Sequence, residues 1–383
     1  MLDLARRAIR AAQRPVILAG GGVNVAHAQD ELLRVAERYG MLVALSVMGK
    51  GAFPETHPLA LGVASSYTGG SIGHGAAATQ ALCEADLIMV VGSDLDALTT
   101  SGGMWPNAGV TVIRIDNDPT ELLSHPAIQI HADAQVALAQ LADGDGDLPA
   151  SHDRQWHAEM QQRVADIRTA IGAYDASGSA NGEVSPGRIV TEIHRHLSEG
   201  DAIVTDASYS SAWALDRVCQ RWPGRFVFAP RGSGVLGWGF PAAIGVKLAR
   251  PHGQVVCMTG DGGLYFSIGE LETAVRLNLD VTVVVLNNGS FGFQRHSDIA
   301  RQSADPGDLC FGETVSYRNV ARAFGWRAER VTSFGEFEEA YPAALADGSP
   351  TLIEVMVSED EIPPILKFDR LRQGMPRMRS VPA

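Results

Sequence analysis

Residues 254–290 read QVVCMTGDGGLYFSIGELETAVRLNLDVTVVVLNNGS, and this stretch decides the fold class. It begins with the apolar run Gln254–Met258, which is typical of a buried strand, and continues into the glycine-rich turn Thr259–Gly263. A helical pattern then leads to a second apolar run, Val281–Leu286, and to the polar pair Asn287-Asn288. Strand, helix and strand in this order predict a parallel βαβ unit with both polar turns at one edge of the sheet.

The same alternation continues in both directions and predicts two α/β units of similar size. Further apolar runs predict strands at 15–19, 41–45, 86–92 and 110–116 in the first unit and at 202–206, 225–228 and 351–355 in the second. Ser185, followed by Pro186, is the predicted N-cap of a helix. The polar, turn-rich stretch Ala142–Pro149 ends the first unit, and Asp175–Gly182 is flexible by composition. We therefore predict an α/β protein with two doubly wound parallel-sheet domains. The expected division is a first domain at 1–148, a linker with a helix at 149–182, a second domain at 183–358 and a C-terminal tail at 359–383.

Composition excludes several function classes. The chain has 383 residues, 45% of them hydrophobic, which is enough for two or three domains with their own cores. A formal net charge of −13 argues against nucleic acid as a partner, because phosphate neutralisation needs a basic face. No apolar stretch is long enough to cross a membrane, and the four cysteines lack zinc-ligand spacing. We expect a cytoplasmic protein without disulfides.

Asp261 and Asn288 are the strongest candidates for chemistry. They lie 27 positions apart, and each directly follows a predicted strand. Ligands of open parallel sheets bind outside the carboxyl ends of the strands, so neighbouring strands would bring these two side chains together. Carboxylate and amide oxygens suit Mg²⁺, and the glycines around Asp261 would let a diphosphate approach the backbone. The alternative is a turn Asp and a turn Asn that follow unrelated strands.

A second glycine-rich segment offers a competing interpretation. Gly232–Gly237 has the form GxGxxG between a predicted strand at Phe226 and a helix after Pro241, with Asp261 as the acid that ends the next strand. A nicotinamide-binding unit has this arrangement. Against that interpretation, Asp261 is itself surrounded by glycines, and a second polar pair follows it at Asn287-Asn288.

The order GDG, helix, strand, NN resembles the diphosphate-domain signature of the thiamine diphosphate (ThDP) enzymes related to acetolactate synthase, pyruvate decarboxylase and benzoylformate decarboxylase. The run Gly232–Gly245 also resembles the segment of that family that binds the aminopyrimidine ring. The resemblance implies ThDP and Mg²⁺, with Asp261, Asn288 and the backbone carbonyl of Ser290 as metal ligands. The cofactor-binding residues it implies are Ser208, Tyr209, Ser210, Gly234, Val235, Leu236, Gly260, Asp261, Gly262, Gly263, Asn288, Ser290, Phe291 and Gly292.

Three residues are expected to act on the cofactor or substrate. By resemblance, Leu236 is the apolar wedge that folds ThDP into a V shape, and backbone groups of Gly234 and Leu236 bind the aminopyrimidine. The alternative for Leu236 is a core leucine in a glycine-rich turn. His296, beyond the metal loop, could face the substrate or be structural. Ser208 and Ser210, in a predicted loop at 206–211, are candidate phosphate donors or simply solvated residues.

The first unit resembles the middle domain of the same family. The similarity is carried by Arg14–Gly22, Gly49–Pro58 and Ile115–Pro119. In acetolactate synthases this domain holds FAD with the help of an Arg that follows a Val-Gly strand end. The corresponding segment here, Gly92–Asp96, contains no Arg, which argues against FAD.

The two matched domains follow a pyrimidine-binding domain in the family, and that domain carries the glutamate that activates ThDP. We expect a separate subunit of roughly 150–200 residues to supply it, in a heteromer that itself dimerises. The resemblance implies a carboligase or lyase that decarboxylates a 2-oxo acid such as pyruvate and transfers the acyl unit to an acceptor carbonyl. The alternatives are a simple 2-oxo acid decarboxylase subunit, a non-catalytic ThDP- or nucleotide-binding regulatory protein, or a truncated chain.

Overall fold

The computed structural model describes most of the chain, which divides into two compact units. The described residues are 1–122, 127–143, 152–177, 183–224, 226–230, 233–301, 307–311 and 315–374. One unit comprises Met1–Ala170 with Cys219–Arg225, and the other comprises Ile171–Val218 with Phe226–Ala383. Each unit contains a six-stranded sheet in which every pair of strands is parallel, so the predicted α/β class with two doubly wound sheets is confirmed.

The sheet of the first unit has the strand order β3-β2-β1-β4-β5-β6. Its strands are β1 (Pro15–Ala19), β2 (Leu42–Leu45), β3 (Ala60–Val63), β4 (Leu87–Val91), β5 (Thr111–Asp116) and β6 (Ile128–His131). Its helices are α1 (Leu2–Ala11), α2 (Gly21–Val25), α3 (Gln29–Tyr39), α4 (Ala76–Glu84), α5 (Pro119–Leu122) and α6 (Ala134–Ala142), and a longer helix, α7 (Arg154–Ser177), follows.

The apolar runs recognised in this unit are its central strands. All five residues of β1 and of β4 are buried, as expected for strands covered by helices on both faces. Two outer strands, β3 and β6, lie where the sequence pattern indicated no strand. Each has only four residues, and β3 contains Gly62 at a φ of 92°, so neither produces a clear apolar run.

The sheet of the second unit has the order β11-β12-β10-β9-β7-β8. Its strands are β7 (Ala202–Thr205), β8 (Val227–Phe228), β9 (Val255–Gly260), β10 (Val281–Asn287), β11 (Arg327–Val331) and β12 (Thr351–Met356). Its helices are α8 (Pro186–Arg195), α9 (Tyr209–Arg217), α10 (Gly239–Ala249), α11 (Asp261–Tyr265), α12 (Glu270–Arg276), α13 (Gly292–Ala300), α14 (Tyr317–Ala323), α15 (Phe334–Asp347) and α16 (Asp369–Gly374).

Two segments of this unit that were predicted as a loop and a turn are partly helical. The segment expected to be a loop at 206–211 enters α9 at Tyr209, and α11 begins at Asp261, within the expected glycine turn. In both places the strand ends and a helix begins within a few residues, because a short βα connection suffices when the helix packs back on its own sheet. The predicted N-cap at Ser185 is confirmed, since its Oγ accepts the backbone N–H of Arg188 at 3.3 Å.

Strand β10 is one of the two central strands of the second sheet. All seven of its residues are buried, and it pairs with β9 on one side and β12 on the other. Phe240 of α10 packs edge-on against Trp326, whose indole N–H donates to the Leu271 carbonyl at 2.9 Å. Because β10 is buried and paired with β9 along its length, the carboxyl ends of the two strands are held side by side.

None of the four cysteines is in a disulfide bond, and Cys257 is the one that is buried. Within the part of the chain that the structure describes, no helix combines the length and the apolar character needed to span a bilayer.

Candidate functional site

The candidate site of the second unit lies where the strand order reverses. The chain passes from β7 outward to β8 and then returns to β9 on the other side of β7. A crevice forms outside the carboxyl ends of the strands at such a point, and ligands of doubly wound sheets bind there. Asp206 follows β7, Asp261 follows β9 and Asn288 follows β10.

Asp261 and the loop after β10 are brought together, as the sequence predicted. The Asp261 carboxylate accepts the N–H of Gly262 at 2.8 Å and the N–H of Gly289 at 2.7 Å. Its backbone carbonyl accepts the Tyr317 hydroxyl at 2.8 Å. The carboxylate is therefore held against the backbone next to Asn288 before any ligand binds.

The electrostatics of Asp261 call for a cation. The residue is only 3% exposed, and burial raises the pKa of its carboxyl to about 7 although several backbone N–H groups act in the opposite direction. Among the described residues, the main groups that lower this pKa are backbone N–H groups and not cationic side chains. A buried carboxylate in this state is costly unless a positive charge joins it, and a divalent ion would supply that charge.

The neighbouring donors are hard oxygens. The Asn288 Oδ1 accepts the N–H of Ser290 at 3.2 Å, and the buried Ser290 Oγ has no hydrogen-bond partner among the described residues. Carboxylate, amide and backbone carbonyl oxygens are the ligands that Mg²⁺ prefers. The described residues contain no cluster of three or more His, Cys, Asp or Glu side chains that could hold a metal, so this mixed set differs from a zinc site.

At two of the three glycines around Asp261, protein atoms occupy the space that a side chain would need. A Cβ at Gly262 would lie 2.5 Å from Phe291 Cε1, and one at Gly263 would lie 2.2 Å from Asp206 Oδ2. At Gly260 the nearest atom would be 4.0 Å away. Gly262 and Gly263 therefore permit close packing of Phe291 and Asp206, whereas the Cβ position of Gly260 is at van der Waals distance from its nearest neighbour. The approach of a diphosphate to this backbone stays a prediction.

Asp206 is a site residue that the sequence analysis missed. Its buried carboxylate accepts the N–H groups of Gly237 at 2.8 Å and Gly239 at 3.2 Å, as well as the Thr259 hydroxyl at 3.3 Å. It therefore fixes the turn before α10 to the ends of β7 and β9. The available signal was an acid directly after the apolar run of β7, a position that a carboxylate rarely occupies without buried partners.

The turn fixed by Asp206 contains Leu236. Gly234 and Gly237 adopt positive φ values of 61° and 83°, which a residue with a side chain rarely takes. Leu236 is half-buried and outside the hydrophobic core, so it is not a core leucine. Val235 is 59% exposed.

Sheet topology also excludes the dinucleotide interpretation. The strand before this turn, β8, pairs with β7 and is separated by it from β9, the strand that Asp261 follows. A dinucleotide fingerprint requires the glycine turn and the acid on adjacent strands. Gly232, the first glycine of that pattern, lies outside the described residues.

The hydroxyl residues before α9 differ in accessibility. Ser208 is half-buried with a φ of 72°, whereas Ser210 is only 3% exposed. Tyr209 is half-buried, and its hydroxyl lies 2.7 Å from Nδ1 of His296. Burial, with a smaller effect of Arg295, lowers the pKa of His296 to about 4, so this imidazole is neutral at neutral pH.

Large apolar side chains are exposed around the Leu236 turn. Val235 and Phe266 are more than half exposed, and Trp238 and Tyr265 are more than one third exposed. Gly237 lies directly against Phe266, because a Cβ at this glycine would approach the Phe266 Cβ to 2.5 Å. A cluster of this kind on a protein surface is typical of an interface.

The first unit has a cavity at its own strand-order reversal, between β1 and β4. Its volume is about 280 Å³, and it is lined in part by Gly22 and Gly92. Asp94, Asp116 and Asp133 also line it, and its lining contains no Arg, Lys or His among the described residues. The absence of FAD stays a prediction that rests on the missing Arg in Gly92–Asp96.

Two family profiles match the chain. Residues 2–141 match the central domain of thiamine pyrophosphate enzymes, and residues 206–355 match their C-terminal TPP binding domain. The chain is also 30% identical over 372 residues to a probable acetolactate synthase large subunit of Methanocaldococcus jannaschii, covering 94% of this chain and 60% of that protein. It is 32% identical over 345 residues to the acetolactate synthase isozyme 3 large subunit of Escherichia coli, covering 88% of this chain and 57% of that protein. The chain thus spans about 60% of the length of these relatives.

Proposed function

The chain belongs to the thiamine pyrophosphate enzymes, and from that premise we propose that it is the ThDP- and Mg²⁺-binding part of an acetolactate synthase-like carboligase. The reaction we propose is decarboxylation of a 2-oxo acid such as pyruvate, followed by transfer of the acyl unit to an acceptor carbonyl. Two findings support this proposal. The relatives are named acetolactate synthase large subunits, and the matched family profiles describe the central domain and the C-terminal TPP binding domain of thiamine pyrophosphate enzymes.

The observation that carries the proposal is the buried Asp261 carboxylate held against the Asn288 loop. In this assignment Asp261, the Asn288 amide oxygen and the Ser290 carbonyl bind Mg²⁺, and the N–H groups at the start of α11 face the diphosphate. Leu236 supports the thiazolium and aminopyrimidine rings from the turn that Asp206 fixes. When bound, the cofactor supplies the nucleophilic carbon and takes up the electron pair left by departing CO₂.

We further propose that the activating glutamate lies outside these 383 residues, on a separate pyrimidine-domain subunit. Glutamates of the described residues are poorly placed for that role. Glu354 is buried and accepts the Asn287 amide at 2.9 Å and the Arg318 N–H at 3.1 Å. Glu55 belongs to the first unit and binds Lys50 Nζ at 2.7 Å. The exposed apolar side chains Val235 and Phe266 are suited to contact such a subunit.

Cofactor binding tests the first part of the proposal. Titration calorimetry of ThDP into the chain should give heat of binding with Mg²⁺ and none when the metal is removed by a chelator. Asp261→Asn, which keeps the shape and removes the charge, should abolish the Mg²⁺ dependence, whereas the exposed Glu272→Gln should not. Equal affinity for ThDP in Asp261→Asn and in the parent chain would overturn the assignment.

Reconstitution tests the second part. With pyruvate, ThDP and Mg²⁺, the chain alone should form almost no acetolactate, and addition of a pyrimidine-domain subunit should restore turnover. Release of acetaldehyde instead of acetolactate by the reconstituted enzyme would identify a simple decarboxylase. Full turnover by the chain alone would refute the need for a partner.

A further inference from the structure

Tyr209 and His296 form a hydrogen-bonded aromatic pair beside the Asn288 loop. The Tyr209 hydroxyl lies 2.7 Å from His296 Nδ1, and the two rings are stacked, with centroids 5.8 Å apart and planes at 20°. His296 is 3% exposed, so its ring is held inside the second unit. Because the imidazole is neutral, its Nδ1 can accept a hydrogen bond from the Tyr209 hydroxyl.

Gly292 links this pair to Asn288. A Cβ at Gly292 would lie 2.8 Å from the Asn288 amide nitrogen and 3.2 Å from Tyr209 Cε2. The edge of the tyrosine ring and the asparagine amide therefore both lie on the side of Gly292 where a side chain would start, and the lack of a side chain there lets them come close together. Any tilt of the ring would open space into which the Asn288 side chain could rotate.

Other aromatic rings enclose the pair. Phe293 and Phe368 approach Tyr209 edge-on, with centroids at 5.9 and 6.3 Å, and Phe368 also approaches His296 at 6.4 Å. Lys367, next to Phe368, donates to Ser297 Oγ at 3.0 Å and lies 3.9 Å from the centre of the Phe293 ring. Because these rings limit the movement of the Tyr209 ring, the hydrogen bond between its hydroxyl and His296 fixes the orientation of the ring.

We propose that Tyr209 and His296 are positioning residues that hold the Asn288 side chain in the orientation that binds the divalent cation. This inference rests on the proposed function, because it takes Asn288 as a metal ligand. The resemblance implied that Tyr209 binds the cofactor directly. In this proposal its hydroxyl donates to His296 instead, and its ring acts on Asn288 through Gly292. His296 acts on the cofactor site through Tyr209 rather than on the substrate.

The test is the Mg²⁺ concentration that gives half-maximal ThDP binding, measured by calorimetry on the full chain. Tyr209→Phe keeps the ring and removes the hydroxyl, and His296→Leu removes the acceptor. Each should raise the half-saturating Mg²⁺ concentration about five- to tenfold, the effect of losing one buried hydrogen bond. The double variant should be no weaker than either single variant, because both remove the same bond.

Two further variants separate positioning from general stability. His296→Asn returns an acceptor near the position of Nδ1 and should restore most of the Mg²⁺ affinity that His296→Leu loses. Tyr341→Phe is the matched control, since it removes another buried hydroxyl of the same unit, 3.5 Å from the Ile193 carbonyl and with its ring beside His196. It should leave the Mg²⁺ dependence unchanged.

The outcomes distinguish the two proposals. Absence of Mg²⁺-dependent ThDP binding in the parent chain, both alone and after addition of the pyrimidine-domain subunit, would contradict the proposed function itself. Normal binding in the parent chain with an unchanged half-saturating Mg²⁺ concentration in Tyr209→Phe would overturn only the positioning role. Additive losses in the double variant, or no recovery in His296→Asn, would also overturn it.

Discussion

Glu361→Gln should make the second unit more stable at pH 8 than the parent chain, and the advantage should disappear toward pH 4.5. Glu361 is 7% exposed and accepts the Ser185 hydroxyl at 2.6 Å. Burial is the main cause that raises the pKa of its carboxyl to about 7, and a nearby Asp175 adds to it. Arg217 and the hydroxyls of Ser185 and Tyr174 act in the opposite direction but do not offset burial.

The sign and size follow from linkage. The folded state keeps the Glu361 proton up to about pH 7, whereas the unfolded chain releases it near 4.5. Stability is therefore lost as the pH rises from about 4.5 to about 7 and is constant above that. At about 1.4 kcal/mol per pKa unit, the loss is about 3 kcal/mol. Glutamine stays neutral and can still accept the Ser185 hydroxyl, so the variant does not lose this stability.

The assay is urea denaturation at several pH values between 5 and 8, followed by tryptophan fluorescence. The difference in unfolding free energy between Glu361→Gln and the parent chain should grow by about 2–3 kcal/mol over this range. Glu359→Gln is the matched control, because Glu359 is two positions away and exposed, and it pairs with Arg295 at 2.9 Å. A pH-independent difference for Glu361→Gln would show that the carboxyl is ionised when folded and would refute the reasoning.

Four other substitutions test the site. Asp206→Asn turns an amide donor toward the N–H groups before α10 and should destabilise the second unit by about 2–4 kcal/mol in urea denaturation; unchanged stability would contradict the role of this carboxylate. Gly263→Ala should lower the free energy of unfolding by about 1–3 kcal/mol through overpacking. Gly260→Ala, where the nearest atom would be 4.0 Å from the added Cβ, should lower it by less than about 1 kcal/mol. Equal losses in the two variants would contradict this difference in packing. Leu236→Ala should weaken ThDP binding by about 1–3 kcal/mol in calorimetry and leave the melting temperature unchanged; a large loss of thermal stability would instead indicate a core residue.

Elements with strong local signals could be predicted from the sequence. The apolar runs of β1, β4 and β10 identified the central strands, because such strands are buried on both faces and carry few polar residues. The outer strands β3, β6 and β11 were missed, since they are held by pairing with a neighbour rather than by their own composition.

The candidate site divides in the same way. Asp261 and Asn288 could be predicted because each follows a strong strand signal, and parallel strands end at one edge. The contacts of Asp206 with Gly237 and of Tyr209 with His296 join residues 31 and 87 positions apart. The local sequence pattern does not predict such contacts, because they depend on how α10 and α13 pack against the sheet.

The outer strands of the second sheet also limit how this protein can associate. β8 has only two residues, and β11 alternates buried positions with charged or polar side chains in the sequence RAERV. Neither edge offers a long row of unpaired backbone groups, so growth of the sheet by strand addition from another chain is disfavoured. The unit is protected in this way against edge-to-edge aggregation, and association through side-chain faces is left as the favourable route.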